Sequence, residues 1–195
     1  MSINEPFNPF EDNEKFTNQE KEILRNLELT EFKVKERAYG YDVVKTGIKI
    51  VESNLEIIDD FNEKMSNTDK NTSIEKMEQN READEELVEN LNFQADQVSG
   101  FINMLKVKEL DFPINEALKY TDAVSKQFKN NQKIKNEIEK INQVEEKLIL
   151  HKEEIKEICT SIWMRLQVME LVNPSDKFLE FKNKFRDILQ DIDFI

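Results

Sequence analysis

NEALKYTDAVSKQFKNNQKIKNEIEKINQVEEKLILHKEEIKEICTSIWMRLQVMELV, residues 115–172, contains no Gly and no Pro. Read in steps of three and four it gives Ala117, Tyr120, Val124, Gln127, Asn131, Ile134, Ile138, Ile141, Glu145, Leu148, Lys152, Ile155, Cys159, Ile162, Leu166 and Met169. That spacing is a coiled-coil seam interrupted by polar positions. It predicts one unbroken helix, roughly 85 Å long at 1.5 Å per residue. The expected architecture is therefore all-α, an elongated bundle of about four helices.

Working outward, the last helix is expected over about 175–193, after Asn173 as cap and Pro174 in the first turn. It places Phe178, Phe181, Phe185, Ile188, Leu189 and Ile192 on one apolar face. Trp163, Leu166 and Met169 are the surface expected to receive it. Upstream, Asp111-Phe112-Pro113-Ile114 ends the preceding helix, because Pro113 disfavours a helical Phe112. Either a hairpin or a kink at Pro113 satisfies so short a link. The helix before it, about 72–110, opens on Thr72-Ser73-Ile74-Glu75, a capping box, and carries the seam Val88, Leu91, Ala95, Val98, Ile102, Leu105. The first helix, about 17–65, opens on a second capping box, Thr17-Asn18-Gln19-Glu20. Its seam runs Ile23, Leu27, Thr30, Val34, Arg37, Tyr41, Val44, Ile48, Val51, Leu55, Ile58, Asn62, Met65. Gly40 and Gly47 lie seven apart on one stripe of it, as a notch for a bulky neighbour requires.

Residues 1–16 (MSINEPFNPFEDNEKF) hold two of the four prolines, acidic neighbours and no apolar period, so a disordered tail is expected there. Within it Asn8-Pro9-Phe10 is a compact turn: Asn bonds forward, Pro presets φ, and the ring is pushed outward. It resembles the Asn-Pro-Phe ligands of EH domains in endocytic traffic, with Glu11-Asp12 as an acidic flank.

Composition narrows the function classes. Three Gly and four Pro in 195 residues leave few turns, which disfavours sheet folds. A net charge of −13 argues against direct binding to nucleic acid or an anionic membrane. No apolar run has the length of a membrane span, and residues 1–16 lack the pattern of a secretory signal. The single cysteine, Cys159, fits a reducing compartment, so a cytoplasmic location is expected. The only histidine, His151, and Cys159 do not make a metal site, and no phosphate-binding glycine loop occurs. No catalytic residue, metal or cofactor is expected, and the chain reads as a non-enzyme. The polar seam positions Gln127, Asn131, Glu145 and Lys152 suit a heteromeric bundle whose partners complete the polar layers, or equally a helix that is simply exposed there. The partner-binding residues expected on this reading are Asn8, Pro9, Phe10, Val98, Ile102, Leu105, Gln127, Asn131, Ile134, Ile138 and Ile141.

Asn8-Pro9-Phe10-Glu11-Asp12, together with Glu89-Asn90-Leu91 and Gln97-Val98-Ser99-Gly100-Phe101-Ile102 followed by Leu105, resembles the soluble SNAREs that carry two SNARE motifs in one chain, the synaptosomal-associated type. The resemblance implies a protein that donates two helices to a four-helix membrane-fusion bundle. Beside this traffic reading stand two others: an acidic inhibitor occupying a nucleic-acid-binding groove, which the run Glu82–Glu89 suits, and a structural subunit of a larger helical complex.

Overall fold

A computed structural model of the chain describes residues 17–67, 74–111, 114–172 and 175–193. These form five α-helices and no strand: α1 (Asn18–Asn67), α2 (Ile74–Asp111), α3 (Ile114–Gln127), α4 (Gln132–Val172) and α5 (Asp176–Ile192). The all-α class follows from the heptads. The tail 1–16, the cap at Thr72-Ser73 and the link at Pro113 lie outside the described residues.

The predicted single helix over 115–172 is two helices. Phe128 ends α3, its amide still bonded to the Val124 carbonyl at 3.0 Å, and the Asn131 amide donates to the Phe128 carbonyl at 3.3 Å. Asn131 then caps α4: its side-chain oxygen accepts from the Ile134 amide at 3.2 Å, and its carbonyl from the Lys135 amide at 3.0 Å. Asparagine leaves a helix readily because its amide competes for backbone groups, so the chain needs neither Gly nor Pro to turn here. The apolar period does not register the turn, since Val124, Gln127, Asn131 and Ile134 keep three-four-three spacing through it. The start of α5 also differs from expectation. Ser175, extended at φ −66° and ψ 148°, is the cap, accepting from the Phe178 amide at 3.2 Å, in place of Asn173. At α1 the expected capping box is present, with Glu20 amide to Thr17 Oγ1 and Thr17 amide to Glu20 Oε2 both at 3.3 Å.

The chain divides into two compact units, with α1 and α4 each contributing to both. Among the described residues, unit 1 comprises 17–36 and 114–147. Its core joins Ile23 and Leu27 of α1, Val124 of α3, and Ile134, Ile138 and Ile141 of α4, with Leu24, Leu118, Tyr120 and Phe128 packed around them. On α3 the core takes Thr121 where the period predicted Tyr120. Thr121 is 3% exposed and returns its hydroxyl to the Ala117 carbonyl at 3.0 Å, whereas the half-buried Tyr120 hydroxyl accepts from Asn26 at 3.3 Å.

Unit 2, among the described residues, comprises 37–67, 74–111, 148–172 and 175–193, in four helices, α1, α2, α4 and α5. Its directions follow from pairs that step along the helices. Gly47 faces Val98, Gly40 faces Leu105, and Asn54 donates to Gln94 at 2.7 Å, so α1 and α2 are antiparallel. Lys45 pairs with Glu154 at 2.8 Å and Asp59 with Arg165 at 3.2 Å, so α1 and α4 are parallel. Lys177, Lys184 and Lys106 pair with Glu89, Asp96 and Asp191, which sets α5 parallel to α2. Lys182, paired with Glu170 and 5.5 Å from the Trp163 ring centroid, fastens α5 to the end of α4. It is Lys182 of α5 that reaches Trp163, and the helix also lies along α2. Phe178 and Phe181 are fully buried, and the Phe181 and Phe185 rings meet at 6.1 Å.

The two notch glycines are occupied as their spacing predicted. A β-carbon on Gly40 would collide with Cδ2 of Leu105, and one on Gly47 would lie 2.9 Å from Cγ2 of Val98, whereas Gly100 meets nothing within 4 Å. Alanine gains about 1 kcal/mol over glycine in a helix interior, and overpacking a core costs about 1–3 kcal/mol. Gly100→Ala should therefore raise stability by about 0.5–1 kcal/mol. Gly40→Val should lower it by at least about 1 kcal/mol, both read from urea unfolding followed by circular dichroism.

Candidate interaction surfaces

Unit 2 carries a polar layer at the level of Arg37. Arg37 is 4% exposed in the seam, and its Nη1 donates to the Leu105 carbonyl at 2.6 Å. A guanidinium is tolerated in a core only with hydrogen-bond partners, and a helix carbonyl has a second lone pair to offer. Lys152, facing the same layer from α4, holds its ammonium 5.2 Å from the Tyr41 ring centroid. Burial, then the nearby Arg37 charge, lowers the pKa of Lys152, while burial raises that of the Tyr41 phenol. Just outside, Lys45 lies 2.9 Å from Nδ1 of His151. An ammonium has no lone pair, so it donates, and the imidazole proton sits on Nε2, 3.9 Å from Asp42. The same ammonium is the main cause holding the Glu154 carboxyl below its ordinary pKa. Cys159, on the seam and 1% exposed, has its thiol pushed up to about 12 by burial.

The residues predicted to bind a partner fall into three groups. Asn8, Pro9 and Phe10 lie outside the described residues. Val98, Ile102 and Leu105 are 0–5% exposed in unit 2, and Ile134, Ile138 and Ile141 are 0–8% exposed in unit 1. Their apolar surface is already covered by the chain itself, so in this conformation none is open to a partner. Gln127 and Asn131 form no polar layer: Gln127 is exposed at the end of α3, and Asn131 is the cap of α4. Of the other polar seam positions, Glu145 and Lys152 are half-buried.

The accessible surfaces lie elsewhere. On α2, Phe93 is 62% exposed, Met104 60% and Phe101 42%. At about 100° per residue, Gly100 and Met104 fall within roughly 20° either side of Phe93, with Phe101 at the edge and the core stripe opposite. From Glu85 to Leu105 the helix carries four carboxylates and no Lys or Arg. This apolar, acid-flanked face was legible in the sequence as a second period on the same wheel, hidden behind the stronger seam. In unit 1 a groove of about 410 Å³ is lined by Lys21, Leu24, Arg25 and Glu28 of α1 and by Lys133 and Glu137 of α4. No sequence pattern announced it, because its residues come from helices more than a hundred positions apart.

Among the described residues no three His, Cys, Asp or Glu side chains are grouped to hold a metal ion, and no helix is long and apolar enough to cross a membrane. Comparison with protein-family models, curated proteins and solved structures finds no match for the chain.

Two outcomes follow from the polar layer and the thiol. With a depressed folded pKa, Lys152 is charged in both states at neutral pH and only the folded state bears the desolvation cost. As pH rises through that pKa towards the ordinary value of 10.5, the folded state loses its proton first and the cost disappears. Lys152→Met should therefore raise the melting temperature at pH 7, with a gain that shrinks towards pH 10.5. Cys159 should react with a disulfide reagent only at the rate of unfolding, and within seconds to minutes once denaturant is added.

Proposed function

We propose that this chain is a non-enzymatic helical interaction protein whose working surface is the outer face of α2 and whose partner is an amphipathic helix with basic flanks. The observation that carries this reading is the alignment of exposed Phe93, Gly100 and Met104, with Phe101 beside them, on a helix stretch with no cation. Isolated exposed apolar side chains are ordinary, but an aligned aromatic face mainly costs solubility unless something covers it. Gly100, with open space where a side chain would be, lets a partner backbone approach closely. Glu89 and Asp96 pair with Lys177 and Lys184 of α5, so the acidic bias of the open face rests on Glu86 and on the absence of any Lys or Arg in the stretch; it favours a basic partner over a second copy of the same helix. Placement in membrane traffic rests on Asn8-Pro9-Phe10 and its acidic flank, through which an EH domain would be recruited, and on the resemblance to two-motif SNAREs.

The test uses two probes with the intact chain. A four-heptad peptide with Leu at a and d and Lys at e and g should bind, and its Glu-flanked counterpart should not. Phe93→Asp combined with Met104→Asp should abolish that binding without loss of helicity, since both side chains are exposed. Equal binding to the substituted chain, or none to the original, refutes the α2 face. Separately, Phe10→Ala should remove binding to an isolated EH domain; an original chain that binds no EH domain refutes the traffic placement alone.

A second reading, an acidic inhibitor of a basic nucleic-acid-binding protein, is favoured by the same carboxylate run. It requires binding that survives loss of Phe93 and Met104 and collapses with salt.

A further inference from the structure

We propose that the groove of unit 1 is the docking site of the chain's own acidic, aromatic segment Phe7–Asp12. The groove volume, about 410 Å³, is within the range of small-ligand pockets, room for aromatic side chains of the segment while its backbone lies along the rim. Its wall is mixed in a specific way. Leu24 offers apolar surface between the cations Lys21 and Arg25 on α1 and Lys133 on α4. Against these stand two carboxylates, Glu28 and Glu137, of which Glu137 pairs with Lys140 at 2.9 Å, so the lining carries a small excess of cations. In a chain of net charge −13 this is a local reversal of sign.

The segment is complementary in kind. Phe7 and Phe10 supply rings for Leu24, and Glu11 and Asp12 supply carboxylates for Lys21, Arg25 and Lys133. Pro6 and Pro9 fix φ and so lower the ordering cost of docking, and the turn at Asn8-Pro9-Phe10 pushes the Phe10 ring outward, towards an apolar wall. Reach is sufficient. Lys21 and Arg25 stand about 6 and 12 Å along the helix from Thr17, at 1.5 Å per residue. Asp12 is five residues before Thr17, up to about 17 Å of extended chain, so the backbone can reverse at Thr17 and run back along α1.

The docking does not depend on the traffic reading; only its consequence does. A docked Phe10 is withheld from any protein that reads Asn8-Pro9-Phe10, and the apparent affinity of that protein falls by the fraction of chains with the segment free.

The experiment places a nitroxide on Asn4→Cys in the full chain, in a Cys159→Ala background, and records amide peak intensities. Expected is a selective loss of intensity at Leu24, Arg25, Lys133 and Glu137, with Phe181 in unit 2 unaffected. Phe10→Ala, the pair Arg25→Glu and Lys133→Glu, and raised salt should each restore the intensity. Both cations are exposed, and unchanged circular dichroism verifies that the pair folds. Loss spread evenly over the chain, no loss, or loss that survives the substitutions overturns the proposal. So does loss that appears in labelled, untagged chain mixed with tagged, unlabelled chain, which assigns the groove to a second copy. An EH-domain titration on the same samples separates the two claims. Selective broadening without EH binding leaves the docking and removes the traffic placement, and EH binding without broadening does the reverse.

Discussion

The four-three spacing of buried residues on α1 is the constraint on which both units depend. Ile23, Leu27, Thr30, Val34, Arg37, Tyr41, Val44, Ile48, Val51, Leu55 and Ile58 hold that spacing without a slip, and each is buried. At 3.5 residues per repeat the side chains stay on one stripe, so α1 offers each unit a face of the same kind. The buried residues of α4 answer it in the same phase, from Ile134 to Met169, with only Glu145 and Lys152 half-buried. Helices of this length owe most of their stability to such a buried stripe, because propensity alone leaves them marginal in water.

Apolar spacing by itself would permit α2 to slide along α1 by a heptad. The level of Leu105 resists that slide in two ways at once. Its side chain fills the notch at Gly40, and its carbonyl takes the Arg37 guanidinium. A shift by one repeat would bring Leu105 over Lys33 in one direction, or over Gly47 with Val98 then meeting Asn54 in the other; either leaves a buried cation without this acceptor, and a stranded charge in a core costs several kcal/mol. Lys152 over Tyr41 adds a second cation to the layer, where the aromatic face offsets part of its lost hydration. The layer is weaker than an apolar one and more particular about register.

Because the seams are consumed within the chain, what remains for recognition is the outer surface, and its chemistry is uneven. The α2 face is aromatic and acidic; the unit 1 groove has cations around a leucine. These surfaces call for partners of opposite charge, so each discriminates against the other's ligand. The acidic, aromatic segment that precedes α1 matches the groove and not the α2 face.

Spacing and composition alone determined the helical class, the α1 capping box, the glycine notch and the apolar face of α5. Each depends on residues within a turn or two of one another, where backbone geometry leaves little choice. Tertiary structure decided the rest. The turn at Phe128–Asn131 keeps the heptad phase, so no period betrays it, and Val124 before it and Ile134 after it enter the same core. Gln127 and Asn131 read as polar layers only if the helix continues; once it turns, one is exposed and the other is a cap. Whether a seam serves a partner or the chain itself depends on which helices return to cover it, and Val98, Ile102 and Leu105 were covered by their own chain. A heptad specifies that a face must be buried, but not by what, because apolar burial is non-directional and accepts any helix of the same period.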